Sequence, residues 1–368
     1  MGAKQKRSNG KTLLVEDGLF FNEGIEAAAT LLKAGKVVVF PTETVYGMGG
    51  NIHSATAISS IFRIKGRPSD NPLIVHIFSK DQLTGLVEFT PDAALPLMNH
   101  FWPGPLTLVM NKRSSVSDMV TAGLQTVSVR MPSNSIALRL LRSAGVPVAA
   151  PSANLSGRPS ITTFEEARLE LEGKVDAIID GGKTLFGVES TVLDVSRDPP
   201  LLLRPGAVTV EELRKYVRNL QVHPAAHGYA SAESVVPSPG MRYRHYAPVN
   251  ARVILFEGEG AIEALSSAAE LCRRKGVSCA SVVTSEADLA GTDVFISGSA
   301  ERPETIAREL FLLLRKLDRA GYEYILIEGI REEGMGLAVM NRIRRAATAV
   351  NPDVRSLLNH KNNRKLPP

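Results

Sequence analysis

The sequence predicts an α/β fold in two parts, and three observations lead there. Short apolar, β-rich runs alternate with segments of helical period along most of the chain. The helical segments stop at glycines. The alternation breaks once, across residues 223–250 (HPAAHGYASAESVVPSPGMRYRHYAPVN), where Pro, Gly, Ala and Ser punctuate and neither period survives. A chain of 368 residues also exceeds what one hydrophobic core usually holds. The expected layout is an N-terminal extension over 1–11, a first α/β domain over 12–222, a linker over 223–250 and a smaller second domain over 251–368.

In the first domain the predicted strands are KVVVFPTETVYG, PLIVHIF, LTLVMN, TVSVRMP, VPVAAPS, AIIDGG and STVLDVS. The predicted helices are IEAAATLLKAG, ATAISSIFRIKG, SIALRLLRSAG and TFEEARLELEG, each closed by the glycine that can take the left-handed C-terminal conformation. After the linker, ARVILFEGEG reads as a strand, IEALSSAAELCRRKG as a helix, and CASVVTSE and DVFISG as strands. ETIARELFLLLRKLDRAG is a long amphipathic helix, YEYILIEGI a strand and LAVMNRIRRAAT a last helix. Such alternation implies a mostly parallel sheet with helices packed on it, and the pattern resembles a small Rossmann-like unit.

Composition narrows the function classes. With 44% hydrophobic and 22% charged residues the chain is globular rather than disordered. No apolar run approaches the roughly eighteen residues that span a bilayer, so no membrane association is expected. The basic start, MGAKQKRSNGK, is followed by no apolar stretch, and Lys6 stands where a myristoylation signal wants Ser or Thr, which makes the cytoplasm the expected location. Cys272 and Cys279 are too few for a disulfide framework and are not spaced as a metal pair, so both are expected to be buried thiols. A net charge of +5 favours anionic partners such as nucleotides or RNA, yet no basic run is interleaved with aromatics as a single-strand platform would be. Two phosphate motifs fail on inspection. DGGKT (180–184) has Ala177 where a P-loop needs glycine, and EGEGAIE has Glu263 at the third glycine position of a dinucleotide fingerprint.

The chemistry lies elsewhere, beginning with KGRPSDNPLIVH (65–76). Lys65 and Arg67 flank Gly66 at a helix end that Pro68 forbids from continuing. Alone, two cations there could simply complement the helix dipole, which contributes about 0.3 to 1 kcal/mol. Their company argues for more. PTETVYGMGG, FWPGPLT, TVSVRMPSN, PVAAPSANLSGRPS, FGVEST and LLLRPGA each set Ser, Thr, Asn or Arg at the end of an apolar strand, where open α/β sheets carry ligands. Apart from Glu43 and Glu189 these ends lack acids. Together they would form a cationic, hydroxyl-lined cleft suited to a polyanion.

The ordered set PTETVYG, KGRPSDNPLIVH, WPGPLT, SVRMP, APSANLSG, GVEST, LRPG, SPGMRYRHYAP and MGLAVMNRIRRAAT resembles the threonylcarbamoyl-adenylate synthases, the YrdC-like family, in their long form with a C-terminal domain. The departures are minor: Met48 where Leu is usual and Ser128 where a small apolar residue often stands. The resemblance implies a YrdC-like twisted mixed sheet with flanking helices beside the smaller Rossmann-like domain. It implies a nucleotidyltransferase that joins L-threonine, bicarbonate and ATP into threonylcarbamoyl-AMP with release of pyrophosphate. The product is then consumed by a tRNA-modifying transferase complex that makes threonylcarbamoyladenosine. Mg2+ would accompany ATP, bound through the triphosphate rather than in a protein cage, and no protein residue is expected as a metal ligand.

Position by position, the resemblance makes Lys65, Arg67, Ser152 and Asn154 the candidate catalytic set. It puts Arg67, Asn71, Thr126, Ser152, Ser160, Arg204, Tyr243 and Tyr246 on ATP, with Lys65 and Asn154 beside the phosphates. Thr44, His76, Arg130, Ala150 and Ser190 would surround threonine, with Arg130 on its carboxylate. The expected catalysis is positioning and charge neutralisation, which agrees with the lack of a nucleophile constellation. His76 would serve as a donor, neutral or cationic, and Glu43 would either orient the threonine amine or pair with Arg67. Pro41, Gly47, Pro103 and Gly104 read as turn formers. RYRHY carries side chains too large for a flexible tether, so the linker is expected to order over ATP as a lid. Two other functions fit less of the sequence: a carbamoyl-adenylate-forming enzyme for another acceptor, and a non-enzymatic RNA-binding module. A weak contact with tRNA is compatible with the net charge.

Overall fold

Two sheets carry the chain. The computed structural model describes residues 7–8, 12–16, 18, 21–229, 245–289, 291 and 293–354. The larger sheet runs, edge to edge, Arg7–Ser8, Thr12–Val15, Ala177–Ile179, Val38–Phe40, Gly47–Asn51, Val148–Ala149, Ile74–His76, Thr126–Arg130, Leu106–Asn111, Thr191–Asp194, Leu201–Arg204 and Gln221–Val222. It is mixed: Thr126–Arg130 lies parallel to Ile74–His76 but antiparallel to Leu106–Asn111.

The period-two alternation of these strands feeds two cores, one on each face. Val38 and Phe40 join Ile25, Leu32, Leu140 and Leu141 on one side, while Val39 joins Ile58, Ile61 and Leu193 on the other. Leu13 and Val15 against Leu14, and Ala177 and Ile179 against Ile178, divide in the same way. Helices Phe21–Lys33 and Ser135–Ala144 therefore cover one face, and helix Ala55–Lys65 helps cover the other.

The second sheet is wholly parallel, in the order Val294–Gly298, Cys279–Thr284, Tyr324–Glu328, Arg252–Phe256, Ala349–Val350. Ile254, Phe256 and Leu326 pack on helix Ala261–Arg274. Val253, Leu255, Ile325 and Ile327 face helices Pro303–Ala320 and Gly336–Ala346. This latter core also takes in Val45, Val188 and Tyr246, so the two halves share apolar contacts. The α/β architecture expected from the sequence is thus present in both halves.

Some expectations need correction. KVVVFPTETVYG is not one strand: after Phe40 the chain forms a loop and returns antiparallel as Gly47–Asn51. Pro41 cannot donate to the ladder, which is why the first strand ends there. Residues 223–229 are not an irregular tether, because Pro224–His227 forms a 3-10 turn with His223 Nδ1 accepting from Ala225 N at 3.1 Å. Asn341 Nδ2 donates to Ala226 O at 2.9 Å and holds that turn against the last long helix. Helix Ala94–Phe101 was missed. Cys272 is buried, but Cys279 only partly. Among the described residues no helix is long and apolar enough to cross a membrane.

Candidate active site

Strand ends and helix caps converge on one cavity. It is lined by Thr42, the Thr44–Gly47 segment, Lys65, Arg67, His76, Arg130, Ala150–Ser152, Asn154, Glu189, Ser190, Arg204, His245 and Tyr246, among others. Of the residues expected at the site, Thr44, Lys65, Arg67, His76, Arg130, Ala150, Ser152, Asn154, Ser190, Arg204 and Tyr246 line it. Asn71, Thr126 and Ser160 do not. Asn71 instead gives its carbonyl to Arg67 Nε at 3.3 Å, and Ser160 is buried behind the wall, donating to Glu189 Oε1. Thr126 begins the strand that ends at Arg130, where it pairs in register with Asn111. Tyr243 lies outside the described residues.

Helix Ala55–Lys65 delivers the first two cations. Ser54 caps its start by accepting from Ala57 N at 3.2 Å. At its end Gly66 takes φ 60°, with Gly66 N donating to Arg63 O and Arg67 N to Phe62 O, a Schellman closure. This reverses the chain between Lys65 and Arg67 and leaves both lining the cavity. Lys65 Nζ donates to the carbonyls of Ser152 and Asn154, so it also braces the turn opposite. Burial, and then the neighbouring Arg67, hold its pKa well below the usual lysine range.

Arg67 donates to Asn71 O and, at 3.0 Å, to Pro72 O. Arg204 donates to Ser190 O at 3.0 Å and Ser190 Oγ at 3.1 Å. Among the described residues neither guanidinium forms an ion pair. Burial lowers each pKa to about 10; repulsion from Arg204 adds to the shift at Arg67, and repulsion from Arg342 and Arg130 to that at Arg204. Buried cations crowded by other cations favour an anion.

Around Arg130 the polar groups form a chain. Its NH2 lies 2.6 Å from Glu43 Oε1, NH1 donates to Thr44 Oγ1 at 2.9 Å, and Nε donates to Gly104 O at 3.2 Å. Glu43 is therefore the partner of Arg130, not of Arg67. Thr42 gives its proton to Val45 O at 2.6 Å, so in the 2.8 Å contact with Thr44 it is Thr44 that donates. The contact between Glu43 and Arg130 lacks hydrogen-bond directionality, and both carboxylate oxygens and the Arg130 NH2 are left without such a partner among the described residues. Buried polar groups without partners are costly, and a ligand with both donor and acceptor character would satisfy them.

Of the neutral and cationic forms left open for His76, burial selects the neutral one. Burial, and then Arg130, push its pKa down to about 3, so it is neutral at physiological pH. Its Nδ1 lies 3.2 Å from Ile74 O, which can only accept, so Nδ1 carries the proton and Nε2 an open lone pair. The expectation for Asn154 is corrected. Its Nδ2 is spent on Leu155 O and Arg158 O at 2.7 and 2.9 Å, and the buried Oδ1 has no partner among the described residues. The group it offers is an acceptor, which would repel a bare phosphate oxygen but suits a donor or a cation.

Sequence reasoning missed three participants. His245 lines the cavity, and burial lowers its pKa to about 3; its position inside RYRHY was the available signal. Glu189 is the only carboxylate in the lining among the described residues, and it is held by Ser160 and by Arg342 Nε at 3.0 Å. Arg342, fully buried, comes from the last long helix, and nothing in MGLAVMNRIRRAAT distinguishes it from its basic neighbours.

Comparison with known proteins identifies the family. A family model described as "Telomere recombination" matches residues 30–206, and one described as "Threonylcarbamoyl-AMP synthase, C-terminal domain" matches 208–348. The Pyrococcus abyssi protein named threonylcarbamoyl-AMP synthase is 45% identical over 88% of this chain and 94% of its own. The Bacillus subtilis protein of the same name is 43% identical over 90% and 96%. The crystal structure of P. abyssi Sua5 complexed with L-threonine superposes with a TM-score of 0.85 at 42% identity, covering 92% of this chain and 99% of that one.

Proposed function

The chain belongs to the threonylcarbamoyl-AMP synthase family, and from that premise we propose that it joins L-threonine, bicarbonate and ATP into threonylcarbamoyl-AMP and pyrophosphate. The observation that carries the reading is the charge of the cavity. Lys65, Arg67, Arg130 and Arg204 line it, while Glu189, its one carboxylate among the described residues, is already held by Arg342 and Ser160. The first half supplies the chemistry, His245 and Tyr246 a wall, and the described part of the second half a support.

In this reading Arg67 and Arg204 take phosphate oxygens, since a guanidinium fork matches them in paired bonds. Lys65 adds a point charge while fixing the Ser152–Asn154 turn. Arg130 receives the threonine carboxylate through its unsatisfied NH2, with Thr44, Ala150 and Ser190 around the amino acid. Neutral His76 offers Nε2 to a threonine N–H. Bicarbonate takes up a proton and loses water to give carbon dioxide, the threonine amine bonds to its carbon and releases a proton, and one oxygen of the resulting N-carboxylate attacks the α-phosphorus. A new P–O bond forms, the bond to the β-phosphate oxygen breaks, and pyrophosphate carries the electron pair away. No protein nucleophile takes part. Tyr246 and His245 close the side of the cavity and exclude water from the carbamate.

Among the described residues no cluster of three or more His, Cys, Asp or Glu could hold a metal. The partnerless Asn154 Oδ1 fits a single contact to a Mg2+ carried by the triphosphate, whose role would be to neutralise phosphate charge. The product passes to a tRNA-modifying transferase in the cytoplasm, and the chain's excess positive charge supports a weak, salt-sensitive contact with tRNA.

The test is pyrophosphate release from ATP and bicarbonate with each of the twenty amino acids, with mass spectrometry of the product. Release that requires threonine, and is lost in Lys65→Ala, supports the reading. Release indifferent to the amino acid overturns it.

A further inference from the structure

A buried carboxylate in an anion-binding cavity poses a problem that the second half of the chain resolves. Glu189 is 6% exposed and lines the cavity, where its negative charge would oppose a triphosphate. Arg204 contributes to its neutralisation, but the cation in direct contact with it is not one of those proposed to bind substrate. It is Arg342, which sits on helix Gly336–Ala346 and is 0% exposed.

Arg342 does more than balance a charge. Its Nε donates to Glu189 Oε2 at 3.0 Å and its NH2 to the Glu189 backbone carbonyl at 3.3 Å. Its NH1 donates to Pro205 O at 2.6 Å. Glu189 directly precedes Ser190 and Pro205 directly follows Arg204, the pair joined by two hydrogen bonds at the cavity wall. One guanidinium thus clasps both backbone segments that present the Arg204–Ser190 pair. The segments approach so closely that a Cβ on Gly206 would lie 2.4 Å from Thr191 N and 2.6 Å from Glu189 O. The Arg342 Cζ also stands 5.9 Å from the centroid of the Tyr246 ring, which packs on Phe311 of helix Pro303–Ala320 at 5.0 Å. A planar fork is the side chain suited to such a clasp, and an ammonium cannot reproduce it.

We infer that Arg342 is a positioning residue for the nucleotide site, through which the C-terminal domain sets the placement of Arg204 and Ser190 and holds the Tyr246 wall. The inference rests on the reading of Arg204 as an ATP contact. It gives the C-terminal domain a task within the same molecule: completing a site whose substrate-facing groups mostly come from the first half.

The test is titration calorimetry of ATP on the full chain. Arg342→Met alone strands the Glu189 charge and can fail to fold, so the decisive variant is Glu189→Gln/Arg342→Met, in which the charge is gone with the fork. Misplacement of a binding group by about 1 Å can cost a hundredfold, so this variant is expected to bind ATP at least about tenfold more weakly than the unchanged chain. Arg342→Lys, which keeps the charge but not the fork, is expected to be weakened as well. Ile254→Val, which trims the core on the opposite face of the same sheet, against helix Ala261–Arg274, is expected to leave ATP affinity unaltered, separating positioning from general loosening. A double variant that binds ATP within about twofold of the unchanged chain, or an Ile254→Val variant weakened as much as it, overturns the inference alone. An unchanged chain that binds no ATP overturns the proposed function, and this inference with it.

Discussion

His76 shows how much of the site's behaviour burial decides. The folded protein holds its imidazole neutral down to about pH 3, whereas the unfolded chain protonates it near 6.5. Below 6.5 the unfolded state therefore binds the extra proton, and stability falls on acidification. Between pH 7 and pH 5 this one group accounts for a loss of about 1 to 2 kcal/mol. His76→Gln is expected to lessen the acid sensitivity by that amount, read from urea unfolding at the two pH values; an unchanged pH dependence would show the imidazole to be protonated in the folded state. Arg67 makes the complementary case. Each charge-assisted bond contributes roughly 1.5 to 3 kcal/mol, so Arg67→Met should raise the KM for ATP by about ten- to a hundredfold. The KM for threonine should move far less, since Arg67 makes its protein contacts at Asn71 and Pro72, away from Thr44 and Arg130. Equal changes in both constants would contradict that assignment.

At the scale of the element, helix Ala55–Lys65 has two ends with different duties. Ser54 only caps, so Ser54→Ala should cost about 1 kcal/mol of stability and leave turnover intact. Gly66 aims the cations. An alanine there meets no atom within 4 Å, so its effect is the left-handed backbone alone, about 1 to 2 kcal/mol. Gly66→Ala should lose activity beyond its loss of stability, and Gly66→Asn should recover part of both. Parallel falls in stability and activity for the two alanine variants would remove the special role of that turn. This helix was readable in advance because its period, glycine stop and Pro68 break are local signals. What Lys65 touches was not, since its partners are carbonyls 87 and 89 residues away, and a backbone carbonyl leaves no mark in a sequence. The assignment of Asn154 to phosphate missed for a related reason: residue type gave an amide, but only Leu155 O and Arg158 O decide which end of it is free.

The whole molecule is tied by arginines from the second half reaching acids of the first. Arg315 meets Glu170 at 2.8 Å and Glu166 at 3.4 Å, Arg319 meets Glu166, and Arg342 meets Glu189. The partners stand 145 to 153 residues apart, which is why the sequence showed a linker and two separable units where the structure has a charged seam. A chain ending at residue 229 would lose these partners and expose the apolar core that the two halves share. It should therefore unfold at markedly lower urea, and neutralising Glu166, Glu170 and Glu189 to Gln should restore part of the loss. A truncated chain as stable as the full one would sink this account.

The Tyr246 wall has a consequence for timing. In the proposed reading Tyr246 and His245 close the side of the cavity, and a bulky nucleotide product departs only once they part. Bond-making then outpaces departure, and the first catalytic cycle should release a burst of pyrophosphate ahead of a slower steady state. Tyr246→Ala should abolish the burst and let the acyl-adenylate escape to hydrolysis. The same doorway that slows the protein keeps a perishable cargo intact until it is collected.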